Sequence, residues 1–184
     1  MVIGITGGIC SGKSHICNLF SYKCGIDIID TDSIVKSTLM YYIPIVTQTI
    51  KIFGDDSYID GRLNQEKFYK TLYSNPDNLT KMNNIVVPYL IEYIKNISEP
   101  NKNIILECPI LFNTDIYKLV DYSILVVSDM NSRIERLRMR YDDDILIMNK
   151  INYQSFDESK ANYILKNNNK IESQIEKLIK QFNI

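Results

Sequence analysis

An α/β fold, with helices covering both faces of a parallel sheet, is predicted by two observations. Short, almost wholly apolar segments recur along the chain, and longer segments with helical character separate them. Five segments are of the first kind: residues 2–6, 26–30, 104–107, 122–127 and 163–165. Each is too short for a helix and rich in apolar and β-branched residues. Most lack the alternation of a half-exposed strand, which is how strands covered on both faces read. The helix-like segments are 13–24, 33–53 with a break near Pro44, 65–73, 78–97 interrupted at Pro88, 132–140 and 171–182. The last places Ile171, Ile175, Leu178 and Phe182 four, three and four residues apart, an apolar stripe that should dock on the core. The long helical block between the second and third strands reads as a lobe set on the sheet. Residues 141–157, with weak periodicity and the acidic run Asp142-Asp143-Asp144, read as a mobile cover.

The 184 residues suit one domain with a substantial core, and no internal repeat or linker suggests a second. A hydrophobic share of 45% and a charged share of 23% are ordinary for a globular protein. A net charge of -1 offers no global basic field for nucleic acid or an anionic membrane. No apolar run approaches the roughly 20 residues of a membrane span. The N-terminus lacks the basic region and long apolar stretch of a signal peptide, so a cytoplasmic location is expected. Cys10, Cys17, Cys24 and Cys108 form no C-x-x-C pair, and neither a disulfide framework nor a zinc site is expected. Cys17 and Cys24 lie seven apart, on one helix face, as small core thiols.

The strongest local signal is Gly7-Gly8-Ile9-Cys10-Ser11-Gly12-Lys13-Ser14, which fits G-x-x-x-x-G-K-[ST] in full. An apolar strand precedes it and a helix-like segment follows, the context that the motif requires. Glycines let backbone N–H groups converge on phosphate oxygens, and the helix starting near Gly12 aims its positive end at the same anion. Gly8, Ile9, Cys10, Ser11, Gly12, Lys13 and Ser14 therefore form a candidate ATP cradle. Lys13 should reach the β- and γ-phosphates and Ser14 should ligate Mg²⁺. Cys10 is read as a tolerated loop side chain. His15, next in the chain, counts with the cradle by position and is expected to be a partly exposed helix residue, not a catalyst.

Phosphoryl transfer also needs an acceptor held in line and a carboxylate near the attacking oxygen. Ile28-Ile29-Asp30-Thr31-Asp32 ends the second strand with two acids, at the sheet edge where ligands bind in parallel α/β folds. If the strand continues, Asp30 and Asp32 point to the same side. One can orient a hydroxyl while the other steadies Mg²⁺ or a basic partner. The competing reading has Asp32 only capping a helix that begins at Ser33. Arg133, Arg136 and Arg140 recur at three and four and share one helix face. Arg140 is read as closing over ATP, whereas Arg133 is read as part of a solvated surface.

Together these segments resemble the dephospho-coenzyme A kinase family. Gly7 to Ser14 and Ile29-Asp30-Thr31-Asp32 are followed in order by Phe53-Gly54, Gly61-Arg62-Leu63 and Leu72-Tyr73-Ser74-Asn75-Pro76. Then come Glu107-Cys108-Pro109-Ile110-Leu111-Phe112, Arg136-Leu137-Arg138-Met139-Arg140 and Ala161-Asn162-Tyr163-Ile164-Leu165-Lys166-Asn167. The likeness implies a three-layer P-loop fold with a five-stranded parallel sheet, in a single domain over 1–184. A helical acceptor-binding lobe would occupy about 55–98 and a lid about 138–158. It implies transfer of the ATP γ-phosphoryl to the ribose 3′-hydroxyl of dephospho-coenzyme A, with ATP and Mg²⁺ as cofactors. By the same likeness Asp32 is the base, Lys13 and Arg140 are phosphate clamps, and Asn167 contacts adenine. Asp30, Asp32, Lys36, Glu107 and Pro109 fall on the acceptor side, with Asp30 or Glu107 assisting the metal through water. The partner expected is this small molecule, with neither nucleic acid nor membrane, for a monomer or weak homo-oligomer.

The sequence departs from the family pattern at several positions. Cys10 replaces a loop glycine, Lys36 an arginine, Glu107 an aspartate, Asn113 a glutamate, Gln65 an arginine and Val87 the histidine of His-Pro. Most of these lie on the acceptor side. Alternatives are another nucleoside or nucleotide kinase of the same fold, or a catalytically weak nucleotide-binding protein. A GTP switch is disfavoured, because Asn149-Lys150-Ile151-Asn152 lacks the terminal acid of N-K-x-D.

Overall fold

The computed structural model describes residues 1–98, 102–142, 147–148, 151, 156–168 and 170–184. The elements run, in chain order, β1 (Val2–Gly7), α1 (Lys13–Cys24), β2 (Asp27–Asp30), α2 (Thr31–Ser37), α3 (Ile43–Phe53), β3 (Tyr58–Ile59), β4 (Arg62–Leu63), α4 (Gln65–Leu72) and α5 (Pro76–Ile97). Then follow β5 (Ile104–Glu107), β6 (Tyr122–Val127), α6 (Met130–Arg138), β7 (Tyr163–Lys166) and α7 (Ile171–Phe182). They group into two compact units: Met1–Asp30 with Ser98–Ile184, and Thr31–Ile97.

The first unit holds a five-stranded sheet in the order β2-β5-β1-β6-β7, every neighbouring pair parallel. β1 is therefore central. Ile3 and Ile5 are fully buried among Ile16, Cys17 and Phe20 of α1, Ile105, Ile124, Leu165 and the inner face of α7. The stripe Ile171, Ile175, Leu178, Phe182 is that inner face, and the Phe182 ring stacks on Tyr122 with centroids 4.5 Å apart. Cys17 is fully buried in this core and Cys24 packs at its edge. α1 ends at Gly25, whose φ of 66° is left-handed and whose N–H bonds to the Ser21 carbonyl at 2.8 Å. The next residue, Ile26, is buried but precedes the ladder, so β2 begins at Asp27.

In the second unit, the break expected near Pro44 takes a definite form. α2 ends at Ser37, a single 3₁₀ turn spans Leu39–Tyr41, and Pro44 sits in the first turn of α3, where its missing N–H is harmless. Pro88 does not interrupt its helix. α5 runs unbroken from Pro76 to Ile97, with Met82, Ile85, Val86, Leu90 and Ile94 buried along one side. Packing against α3 and α4 outweighs the hydrogen bond that proline removes. The hairpin of β3 and β4 lies outside the five strand-like segments of the sequence. Asp60 and Gly61 both have positive φ, 50° and 73°, the type I′ turn that Asp-Gly favours. That dipeptide between Ile59 and Leu63 was the available signal.

Candidate active site

Register brings the chemistry to the carboxyl ends of the strands. Asp30 is paired with Glu107 across β2 and β5, and Glu107 with Ile5 across β5 and β1. Just beyond the end of β1, the chain turns through Gly8 to Gly12 into α1. The turn is closed by the Ser11 N–H on the Gly8 carbonyl at 3.0 Å. Gly12 has a φ of 97°, left-handed backbone that a side chain would strain, and a Cβ there would lie 2.1 Å from Nδ2 of Asn167. Cys10, in place of the family's glycine, also holds a positive φ of 56°. Its side chain packs against the apolar cluster of Leu137, Ile147 and Ile151, with Ile9, Ile134 and Tyr141 alongside. Those contacts offset part of the cost of a left-handed non-glycine residue, about 1–2 kcal/mol.

The loop carbonyls are held by side chains. Lys13 is buried and donates from Nζ to the carbonyls of Gly7 at 2.9 Å and Gly8 at 3.2 Å. Arg133 Nε donates to the Ile9 carbonyl at 3.0 Å, Arg136 Nη1 to the Cys10 carbonyl at 2.9 Å, and Asn167 Nδ2 to the Ser11 carbonyl at 2.8 Å. Reading Arg133 as solvated surface was therefore wrong: the guanidinium is half-buried against the loop, and burial pushes its pKa down. The face that α6 turns toward the loop follows from burial of Leu137, which spacing among the arginines does not reveal. α6 ends at Arg138, before the expected residue 140. Arg140 lies exposed in the following turn, its N–H on the Leu137 carbonyl at 2.9 Å.

Ser14 donates from Oγ to Glu107 Oε1 at 2.7 Å. Glu107 is only 8% exposed. Burial raises its pKa above the usual carboxylate value, the Asp30 charge adds to the rise, and the Ser14 hydrogen bond and Lys13 oppose it. Cys17 lies beneath. Burial and the Glu107 carboxylate push its thiol far above the ordinary range, so it stays protonated. Thr6 Oγ1 donates to the Pro109 carbonyl at 3.2 Å, fixing the turn after β5. His15 is exposed on α1, as the sequence suggests.

β2 stops at Asp30. Asp32 is not on an extended strand sharing a side with Asp30, nor is it a helix cap. It lies in the first turn of α2, which starts at Thr31, one residue before it, and there an acid is favoured by the helix dipole. Asp32 and Lys36 are both exposed on α2, four residues apart on one face. About half of the expected lid falls outside the described residues: 143–146, 149–150 and 152–155. The Asn149-Lys150-Ile151-Asn152 segment lies largely outside them too.

The residues present fit a nucleotide's phosphates. The Ser11 hydroxyl is buried inside the turn with no hydrogen-bond partner among the described residues, and Lys13 supplies a cation at the loop itself. The Ser14 hydroxyl, with its proton on Glu107, turns oxygen lone pairs outward, a hard donor suited to Mg²⁺. Among the described residues no group of three or more His, Cys, Asp or Glu that could hold a metal ion is present.

A glycine-rich loop joining the central strand of a parallel sheet to the next helix, with a buried lysine and a carboxylate-held serine, defines a P-loop nucleotide-binding protein. Solved structures share this fold. A Thermus thermophilus protein matches with a TM-score of 0.73 at 22% identity, covering 100% of this chain and 96% of that one. A shikimate kinase from Bacteroides thetaiotaomicron matches with a TM-score of 0.58 at 14% identity, covering 100% and 99%. The chain belongs to the dephospho-CoA kinase family, whose model matches residues 1–173. It is 35% identical to the dephospho-CoA kinase of Clostridium tetani, over 98% of this chain and 86% of that protein. It is 29% identical to that of Fusobacterium nucleatum, over 97% and 95%.

Proposed function

We propose that the protein transfers the γ-phosphoryl group of ATP to the ribose 3′-hydroxyl of dephospho-coenzyme A, giving coenzyme A and ADP. The observation that carries this reading is a preformed phosphate cradle beside the acid-bearing tips of β2 and β5, in a chain of this family. The transfer is direct and in line, with no phosphoenzyme. Backbone N–H groups from Gly8 to Ser14 and the amino end of α1 hold the phosphates, and Lys13 leaves the Gly7 and Gly8 carbonyls to neutralise charge on the transferred group. Arg140, with the lid about 138–158, closes over ATP and excludes water. His15 flanks the phosphates and Asn167 the adenine.

Asp32 accepts the proton of the attacking hydroxyl, and Lys36, one turn further along α2, holds the acceptor's anionic part. The helical lobe of about 55–98 receives the rest of it. Asp30, Glu107 and Pro109 border the acceptor side. Mg²⁺ would be held by the Ser14 hydroxyl, with Asp30 and Glu107 acting through water, and would supply neutralisation of phosphate charge. The protein works in the cytoplasm as a monomer or weak homo-oligomer, without nucleic acid or membrane. No helix among the described residues is long and apolar enough to cross a membrane.

An ADP-release assay with ATP and Mg²⁺ across dephospho-coenzyme A, nucleosides, nucleoside monophosphates and no acceptor tests the proposal. Turnover with dephospho-coenzyme A alone is expected; turnover only with a nucleoside monophosphate would replace the acceptor. Asp32→Asn should lower kcat roughly 10²–10⁴-fold with ATP binding intact, and a near-normal rate removes Asp32 as base.

A further inference from the structure

Three successive carbonyls of the phosphate loop, those of Ile9, Cys10 and Ser11, each accept a hydrogen bond from a side chain distant in sequence. Two donors, Arg133 and Arg136, come from α6, and the third, Asn167, follows β7. Two of the loop's glycines face these donors at close quarters. A Cβ on Gly8 would lie 2.4 Å from Nη2 of Arg133, and one on Gly12 would lie 2.1 Å from Nδ2 of Asn167. Bare backbone at both positions therefore admits the donors as well as the phosphate.

A trans peptide points its C=O and the next residue's N–H in opposite directions, and the described chain has no cis peptide. Holding the carbonyls of residues 9, 10 and 11 outward fixes the N–H groups of Cys10 and Gly12 inward, and that of Ser11 on the Gly8 carbonyl, where it closes the turn. We propose that Arg133, Arg136 and Asn167 are positioning residues for the phosphoryl donor, acting through the loop and not by touching the phosphates. Two of the three bonds are charge-assisted, so they also polarise the N–H groups on the far side of each peptide. Cys10, without the conformational freedom of glycine, makes such an external brace more necessary, since its left-handed backbone must be held.

The proposal rests on the ATP side of the reading above and needs nothing from the acceptor. It assigns each side chain to one peptide, and amide ¹⁵N–¹H shifts of the nucleotide-free protein test that assignment. Arg133→Met should move the Cys10 amide most, Arg136→Met the Ser11 amide, and Asn167→Leu the Gly12 amide. In titrations with ADP, each variant should bind roughly tenfold more weakly. Arg133→Lys keeps the charge and one donor, and should recover part of both the shift and the affinity. It also serves if the methionine variant does not fold. Unmoved loop amides in a folded variant that binds ADP weakly would mean that the side chain touches the nucleotide directly, phosphate for the arginines or adenine for Asn167, and would overturn the proposal. Unaltered ADP affinity would overturn it as well. Which acceptor is turned over has no bearing on the loop amides or on ADP affinity, so a wrong acceptor and a wrong brace fail separately.

Discussion

Glu107 shows how much one residue can decide. A carboxylate almost out of contact with water is costly, and only part of that cost is offset by the Ser14 hydroxyl and the Lys13 charge. Its pKa is raised in the folded protein, so the folded state binds the proton more tightly than the unfolded chain. Stability must then fall as pH rises through the window between the unfolded value and the raised folded one. Glu107→Gln keeps an acceptor for Ser14 and removes the buried charge. It should raise Tm at neutral pH, and the gain should shrink as pH drops below the folded pKa of the native carboxyl. Under the proposed function, with Ser14 as the Mg²⁺ ligand, turnover should fall roughly 10–100-fold, the usual cost of losing a group that orients a metal ligand. Calorimetry of both proteins across pH checks the first part; equal Tm values at every pH would show that the buried carboxylate carries no strain.

Among the elements, α6 links the loop to the rest of the sheet through Arg133 and Arg136. Its start is fixed by Asp129, whose carboxylate accepts the Ser132 N–H at 2.8 Å and whose pKa is lowered mainly by that bond. A lowered carboxyl pKa contributes stability at neutral pH that is lost as pH falls through the folded value. Asp129→Ala should therefore lower Tm near pH 7 and converge with the native protein in acid. It should also weaken ADP binding modestly, because the arginines ride on a looser helix. A helix that binds ADP unchanged despite the lower Tm would place the brace in the tertiary contacts alone.

For the whole molecule, nucleotide binding and stability are linked by mass action. A ligand at about 100 times its Kd adds about 2.7 kcal/mol, which in a chain of this size raises Tm by about 5–10 °C. ADP should produce that shift in the native protein, and Lys13→Ala should lose most of it, measured against the variant's own ligand-free Tm. A full shift in Lys13→Ala would remove the lysine from the phosphate site.

What the sequence determined by itself was local and periodic. The inner strands β1, β5 and β6 were legible because burial on both faces leaves continuous apolar runs, the partly exposed edge strands β2 and β7 by their short apolar stretches, and the loop because its glycines, lysine and serine fall within eight consecutive residues. The stripe on α7 announced its own docking face. The Asp60-Gly61 turn is likewise a local signal. The tertiary structure decided what depends on neighbours distant in the chain. Packing carried α5 through Pro88, because a buried face across the whole helix outweighs one missing hydrogen bond. Helix onset at Thr31 took Asp32 off the strand. Burial of Leu137 turned Arg133 from a presumed surface charge into a donor to the phosphate loop. No pattern within α6 carries that information, because the rotation of a helix about its axis is set by what it buries.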